Sequence, residues 1–155
     1  MRIDEIMNSR EKKRLFLKIE EQWGIKPDFL KEYAFIKKQS GKIFISTKEA
    51  AETFQDINVR KYSLGNYFGK ITEKDNFRLS IEGSGLLGPN ATRNVLELDR
   101  GMTLLWLAGH DLEIKTQMQG FLIIKSDEDY IGCGQATENK ILNYVPKNRR
   151  IKNLI

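Results

Sequence analysis

The sequence predicts an α+β protein made of two small units in series. An amphipathic helix, Ser9–Trp23, opens the chain and a strand hairpin follows, so helix and strand alternate from the start. From Arg93 onward the pattern changes to one strand, a short apolar helix and three closely spaced strands. The 155 residues are 40% hydrophobic and 30% charged, enough apolar surface for one large core or two small ones.

Each element follows from local pattern. In "SREKKRLFLKIEEQW" Ser9 is the expected N-cap, Leu15, Phe16, Ile19 and Trp23 fall near one face, and Gly24 ends the helix. Its cations Arg10, Lys12, Lys13 and Arg14 read as a solvated face. Pro27–Tyr33 reads as a second, short helix. "YAFIKKQSGKIFIST" reads as two strands, Ala34–Lys38 and Lys42–Ser46, that turn at Ser40-Gly41, and Thr47 caps a helix over Lys48–Phe54. "RKYSLGNYFGKIT" and "NFRLSIEG" read as two more strands joined at Glu73–Asn76. Ser84–Leu87 is a helical turn stopped by Gly88-Pro89. The second unit takes "NVLELD" as a strand, "GMTLLWLAG" as a helix, and "GFLIIKS", "YIGCGQAT" and "KILNYV" as three strands. The units abut near Asn90–Arg93 with no long linker, giving an N-terminal α/β domain over 1–92 and a second domain over 93–155.

Composition removes much chemistry. One cysteine, Cys133, excludes an intramolecular disulfide, and one cysteine with one histidine, His110, excludes a Cys/His zinc site within a single chain. His110 would have to serve any catalytic triad, and it reads instead as a residue at a helix C-terminus, where an imidazole suits the dipole. There is no apolar N-terminal run and no stretch long enough to span a bilayer, so the expectation is a cytoplasmic protein with no membrane partner. "GSGLLG", Gly83–Gly88, matches a dinucleotide fingerprint. Pro89 and the strand beginning by Asn94 leave no room for the crossover helix that fingerprint needs, so its glycines are expected to form a tight turn between the units. Glu20/Glu21 and Asp127–Asp129 are neighbours on a polar face and in a turn, not convergent buried carboxylates. The expectation is a protein without catalytic activity and without a cofactor.

A net charge of +5 and a pI of about 9.3 mildly favour a polyanionic partner. Three segments qualify. In "YIGCGQA", Gly132 and Gly134 leave one strand face bare, which suits close approach of a backbone, a ligand or the facing "LLWLAG" helix, while Cys133 points the other way into a core. "KYSLGNYFGKITEKDNFRL" mixes Lys61, Lys70, Lys74 and Arg78 with Tyr62, Tyr67, Phe68 and Phe77. Cations attract phosphates and exposed rings stack on unpaired bases, although Phe68 and Phe77 read better as core. "NYVPKNRRIKNLI" places Lys147, Arg149, Arg150 and Lys152 within six residues, beside the apolar Ile151, Leu154 and Ile155. Chemistry alone leaves a frayed tail and a fixed anion-binding edge equally open there.

At these residues a family resemblance enters. "NVLELDRGMTLLWLAGHDLE" followed by "GFLIIKSDEDYIGCGQAT" looks like a PUA domain, a small β-barrel with a short helix and a glycine-rich strand found in RNA-modifying and ribosome-biogenesis proteins. With "LGNYFGKITEKDNFRLSIEG" upstream, the chain is similar to the Nip-seven family of large-subunit biogenesis factors, which join an N-terminal α/β domain to a C-terminal PUA domain. "FRLSIEGSGLLG", "VLELD", "GFLIIKSDEDYIGCG" and "NYVPKNRRI" equally resemble the PUA-like domain related to the RsmB/RsmF/Fmu RNA cytosine-5 methyltransferases. The catalytic domain of that group is missing, which implies a stand-alone relative, as in archaea.

The resemblance implies a C-terminal PUA-like β-barrel over 93–155 and a partner that is RNA, either rRNA or tRNA. It implies a role in rRNA processing or ribosome biogenesis beside ribosome-assembly factors. The alternative is an accessory subunit for an RNA methyltransferase or other tRNA- or rRNA-modifying enzyme. By carry-over, Gly109 and Asp111 of "GHDL" end the PUA helix, and Gly132 and Gly134 form the glycine strand. RNA in such domains lies near that helix and the last strands, which places Lys147, Arg149, Arg150 and Lys152 beside it. The tail is then expected to be ordered, with Ile151, Leu154 and Ile155 packed and Arg149 and Arg150 exposed.

Overall fold

The computed structural model describes residues 4–57 and 65–152. Lys61 and Tyr62, and the terminal Leu154 and Ile155, lie outside the described residues. The class is mixed α+β, with two sheets and four α-helices among the described residues.

The first sheet contains β1 (Asp4–Ile6), β2 (Tyr33–Lys38), β3 (Lys42–Thr47), β4 (Asn66–Ile71) and β5 (Phe77–Leu79), in that spatial order and antiparallel throughout. Helix α1 (Ser9–Trp23) buries Leu15, Ile19 and Trp23, one side chain per turn. They pack on Phe35, Ile43, Phe68, Phe77 and Leu79. The cap of α1 is Asn8, one residue before the expected Ser9. Its side chain accepts from the Glu11 amide at 2.9 Å, and the Glu11 carboxylate accepts from the Asn8 amide at 3.2 Å. This reciprocal box satisfies two amides that the helix cannot pair internally. Gly24, in the left-handed region at φ 66°, ends the helix as expected. Pro27–Glu32 is a 3-10 helix, and α2 (Lys48–Ile57) follows Thr47, whose hydroxyl accepts from the Ala50 amide at 3.2 Å.

"NFRLSIEG" departs from expectation. The strand stops at Leu79, Ser80 caps a helix by accepting from the Gly83 amide at 2.9 Å, and α3 runs over Ile81–Leu87. The glycines of "GSGLLG" therefore lie in and at the end of a helix and do not form an inter-unit turn. A Cβ on Gly83 would stand 2.2 Å from the Phe68 carbonyl oxygen, and one on Gly88 would strike the Tyr130 ring. Small residues let α3 lie close against both sheets, and that packing overrides glycine's poor helix propensity.

The second sheet has the order β6 (Val95–Glu97), β7 (Phe121–Ser126), β8 (Asp129–Ala136) and β9 (Ile141–Asn143). β6 runs parallel to β7, and the others are antiparallel. A parallel pair needs a long crossover, and α4 (Arg100–Leu107) lies within it, capped by Asp99. Leu112 adds a single bridge to Ile141 beyond the sheet's end.

The expected join near Asn90–Arg93 is a clasp. The Thr92 amide donates to the Trp23 carbonyl at 2.8 Å, and the Arg93 guanidinium donates to the carbonyls of Glu20 and Glu21. Trp23 Nε1 and Gln22 Nε2 both donate to the Phe121 carbonyl, at 3.0 and 2.8 Å. One hydrophobic core accordingly runs from α1 and the first sheet to Phe121, Ile123 and Cys133 of the second. A smaller cluster around Trp106, Leu112, Leu122, Ile124 and Ile141 lies under α4. Among the described residues no helix is long and apolar enough to cross a membrane.

Candidate nucleic-acid interface

The C-terminal cluster begins where β9 ends. Asn143 ties that end to α4: its backbone amide donates to Asp111 Oδ1 at 2.8 Å, and its side chain donates to the carbonyls of Trp106 and His110 at 2.8 and 2.9 Å. Asp111 also faces the Lys140 ammonium at 3.6 Å. His110 sits exposed just past α4, with its amide donating to the Leu105 carbonyl, and fits the helix-end reading.

From this anchor the tail turns through a short 3-10 helix, Lys147–Arg149. Its described part runs to Lys152, and the Ile151 amide donates to the Leu107 carbonyl at 2.9 Å. The cations within it have different surroundings. Arg150 is half-buried; its Nε donates to the Val145 carbonyl at 2.9 Å, and its stem lies where a Cβ on Gly109 would sit, 2.4 Å away. Gly109 holds φ 94°, a conformation that tolerates this contact only without a side chain. Arg149 is exposed but pairs with Glu82 of α3 at 2.8 Å. Lys147 and Lys152 are exposed, with no carboxylate partner among the described residues. Two expectations are corrected here. Ile151 is 41% exposed, because its backbone and not its side chain holds the tail, and Arg150 is held by its own chain.

Gly132 and Gly134 are buried beneath Trp106. A Cβ on Gly134 would stand 2.7 Å from the far edge of the indole, and Gly132, at φ 149°, would approach the indole nitrogen. The bare strand face is thus filled by the facing helix. These glycines shape the fold and do not touch solvent, so they are removed from the interface. Cys133 points the other way into the main core, where burial pushes its thiol pKa up to about 12.

A second basic surface lies on the first sheet. Lys42 of β3 stands opposite Lys70 of β4, which stands opposite Arg78 of β5. Phe44 and Tyr67, also opposite each other, are half-exposed with ring centroids 5.6 Å apart. Phe68 and Phe77 are core, as the sequence suggested. Arg78 lies 4.4 Å over the ring of Tyr144, just past β9, and the Tyr144 hydroxyl donates to Gln135 at 2.6 Å. A groove of about 980 Å³ opens beside this junction, where Lys70, Lys74 and Arg78 meet Phe121, Gln135 and Tyr144. Sequence reasoning passed over Tyr144, and its place after "KILN" at a strand end gave no hint of a cation from another sheet.

Two family models match the chain. Residues 6–81 match the NIP7/UPF0113 pre-PUA domain, and residues 93–151 match the PUA domain of methyltransferase RsmF. The matches follow the order of the two sheets, so the class is that of a pre-PUA domain followed by a PUA domain. The chain is a PUA-domain protein, NIP7-like in its first part and RsmF-like in its second. No curated protein matches it.

Proposed function

We propose that this protein is a non-catalytic RNA-binding factor acting in rRNA processing or ribosome biogenesis, and that its C-terminal basic edge receives the RNA. The observation that carries the reading is the hydrogen-bonded path of residues 143–152 after β9. Lys147 and Lys152 stand exposed on a segment pinned by Asn143, Arg150 and the Ile151 amide. A fixed cation loses less conformational freedom on meeting a phosphate than one on a frayed end. Arg149 joins them if RNA competes with Glu82, and an exposed pair of that kind is weak enough to exchange. Asp111 and Gly109 act behind this edge by holding Asn143 and Arg150 in place.

The PUA match of residues 93–151 comes from a methyltransferase, and this favours one alternative: an RNA-binding accessory subunit of a cytosine-5 methyltransferase that lacks its own PUA domain. Capture of the tagged protein from native lysate with and without RNase separates the two. Pre-rRNA and assembly factors, lost on RNase treatment, support biogenesis. A methyltransferase retained after RNase supports the accessory role. Crosslinking followed by sequencing of the bound RNA tests the main reading, which fails if no rRNA precursor is enriched.

A further inference from the structure

We propose that the outer face of the first sheet is a second binding surface, for single-stranded nucleic acid, running from Phe44 to the junction at Tyr144. It rests on the RNA-binding reading above and extends it to the pre-PUA domain.

Residues directly opposite in an antiparallel sheet share a face, so Lys42, Lys70 and Arg78 form a row of three cations across β3, β4 and β5. Like charges directly opposite destabilise a sheet. Several other cations are matched by carboxylates: Lys18 with Asp75, Lys37 with Glu11, Lys140 with Asp111. In this row none has a carboxylate partner among the described residues. An unmatched row of like charge fits an anionic occupant.

Exposed rings make that occupant single-stranded. On the same face, Lys42 Nζ stands 5.5 Å from the centre of the Tyr67 ring and Lys38 Nζ stands 4.8 Å from that of Phe44. Tyr144, 36% exposed, carries Arg78 in the same way. Each ring therefore carries a cationic side chain over one of its faces. When the cation turns to a phosphate, an unpaired base takes its place on the ring, a contact that paired bases in a duplex do not offer. Strand spacing gives the cation row a span of about 10 Å. Tyr144 precedes Lys147 by three residues, at most about 11 Å along the chain, so one strand reaches both surfaces. Because stacking on rings and attraction to phosphates ignore base identity, binding here is tolerant of sequence.

The test compares oligouridylates of about twenty and about five nucleotides, the shorter filling a single site. The charge-reversed double variant Lys42→Glu, Lys70→Glu is expected to weaken the longer probe about tenfold or more and flatten its salt dependence by about 0.7 per lost contact. Its affinity for the shorter probe and its melting temperature stay unchanged. Tyr67→Ala is expected to weaken the long single strand while leaving duplex RNA binding intact. Lys147→Ala with Lys152→Ala separates the two readings. If it weakens both probes while the sheet variants bind the long probe like the unaltered protein, this inference is overturned and the C-terminal reading survives. If it changes nothing while the sheet variants do, the inference stands and the C-terminal reading fails.

Discussion

Arg150 bends its guanidinium onto the Val145 carbonyl and lies against Gly109, whereas Arg149 beside it reaches out to Glu82. The two side chains therefore answer differently to mutation. Gly109→Ala puts a methyl group into Arg150 at a left-handed backbone position, and it should destabilise the protein by about 1–3 kcal/mol in denaturant unfolding. Cys133 gives a pH prediction. Its folded pKa is raised to about 12 by burial, so the fold favours the neutral thiol. The stability it contributes is fully present below the unfolded thiol pKa and is lost as pH rises toward the folded value. At pH 8 the native thiol should resist iodoacetamide and react only on unfolding, and modification at a free-thiol rate would contradict this burial. The sequence shows that four cations are close together. It does not show which are free, because that depends on Glu82, 67 residues away, and on the Val145 carbonyl.

Helix α1 shows how much an element's own residues reveal. Its buried stripe and glycine stop were legible, since both follow from periodicity and backbone preference. Its cap lay one residue early because Asn8 and Glu11 close the box that Ser9 cannot. Asn8→Ala should cost about 1 kcal/mol, measurable as a lower denaturation midpoint. Glu11 is held below its ordinary carboxylate pKa, first by the Lys37 hydrogen bond and then by the Asn8 amide. That stabilisation is present above the ordinary carboxylate pKa and is lost as pH falls through the lowered folded value. Glu11→Gln should reduce the acid sensitivity of unfolding. Helix α3 was legible only as its last turn, Ser84–Leu87, because two glycines in seven residues argue against a longer helix until the close approach of the Phe68 carbonyl, which requires Gly83, is known.

At the scale of the whole molecule, the two domains expected from the sequence share one core. Trp23 is fully buried and donates across the junction to Phe121, so Trp23→Ala should cost about 3–5 kcal/mol and loosen both sheets together. Calorimetry of the full chain should show a single transition, and two separated transitions would contradict a common core. The order of the domains was legible from the family resemblance, which places a PUA domain after an α/β one. The clasp between them was not, since backbone carbonyls at a helix end leave no mark in sequence. RNA binding by the C-terminal edge, as proposed, rests on Lys147 and Lys152. The most direct measurement is the salt dependence of binding a short single-stranded RNA by Lys147→Ala with Lys152→Ala. Weaker binding, a log–log slope flatter by about 0.7 for each lost contact, and an unchanged melting temperature are expected. Affinity and slope equal to those of the unaltered protein would contradict it.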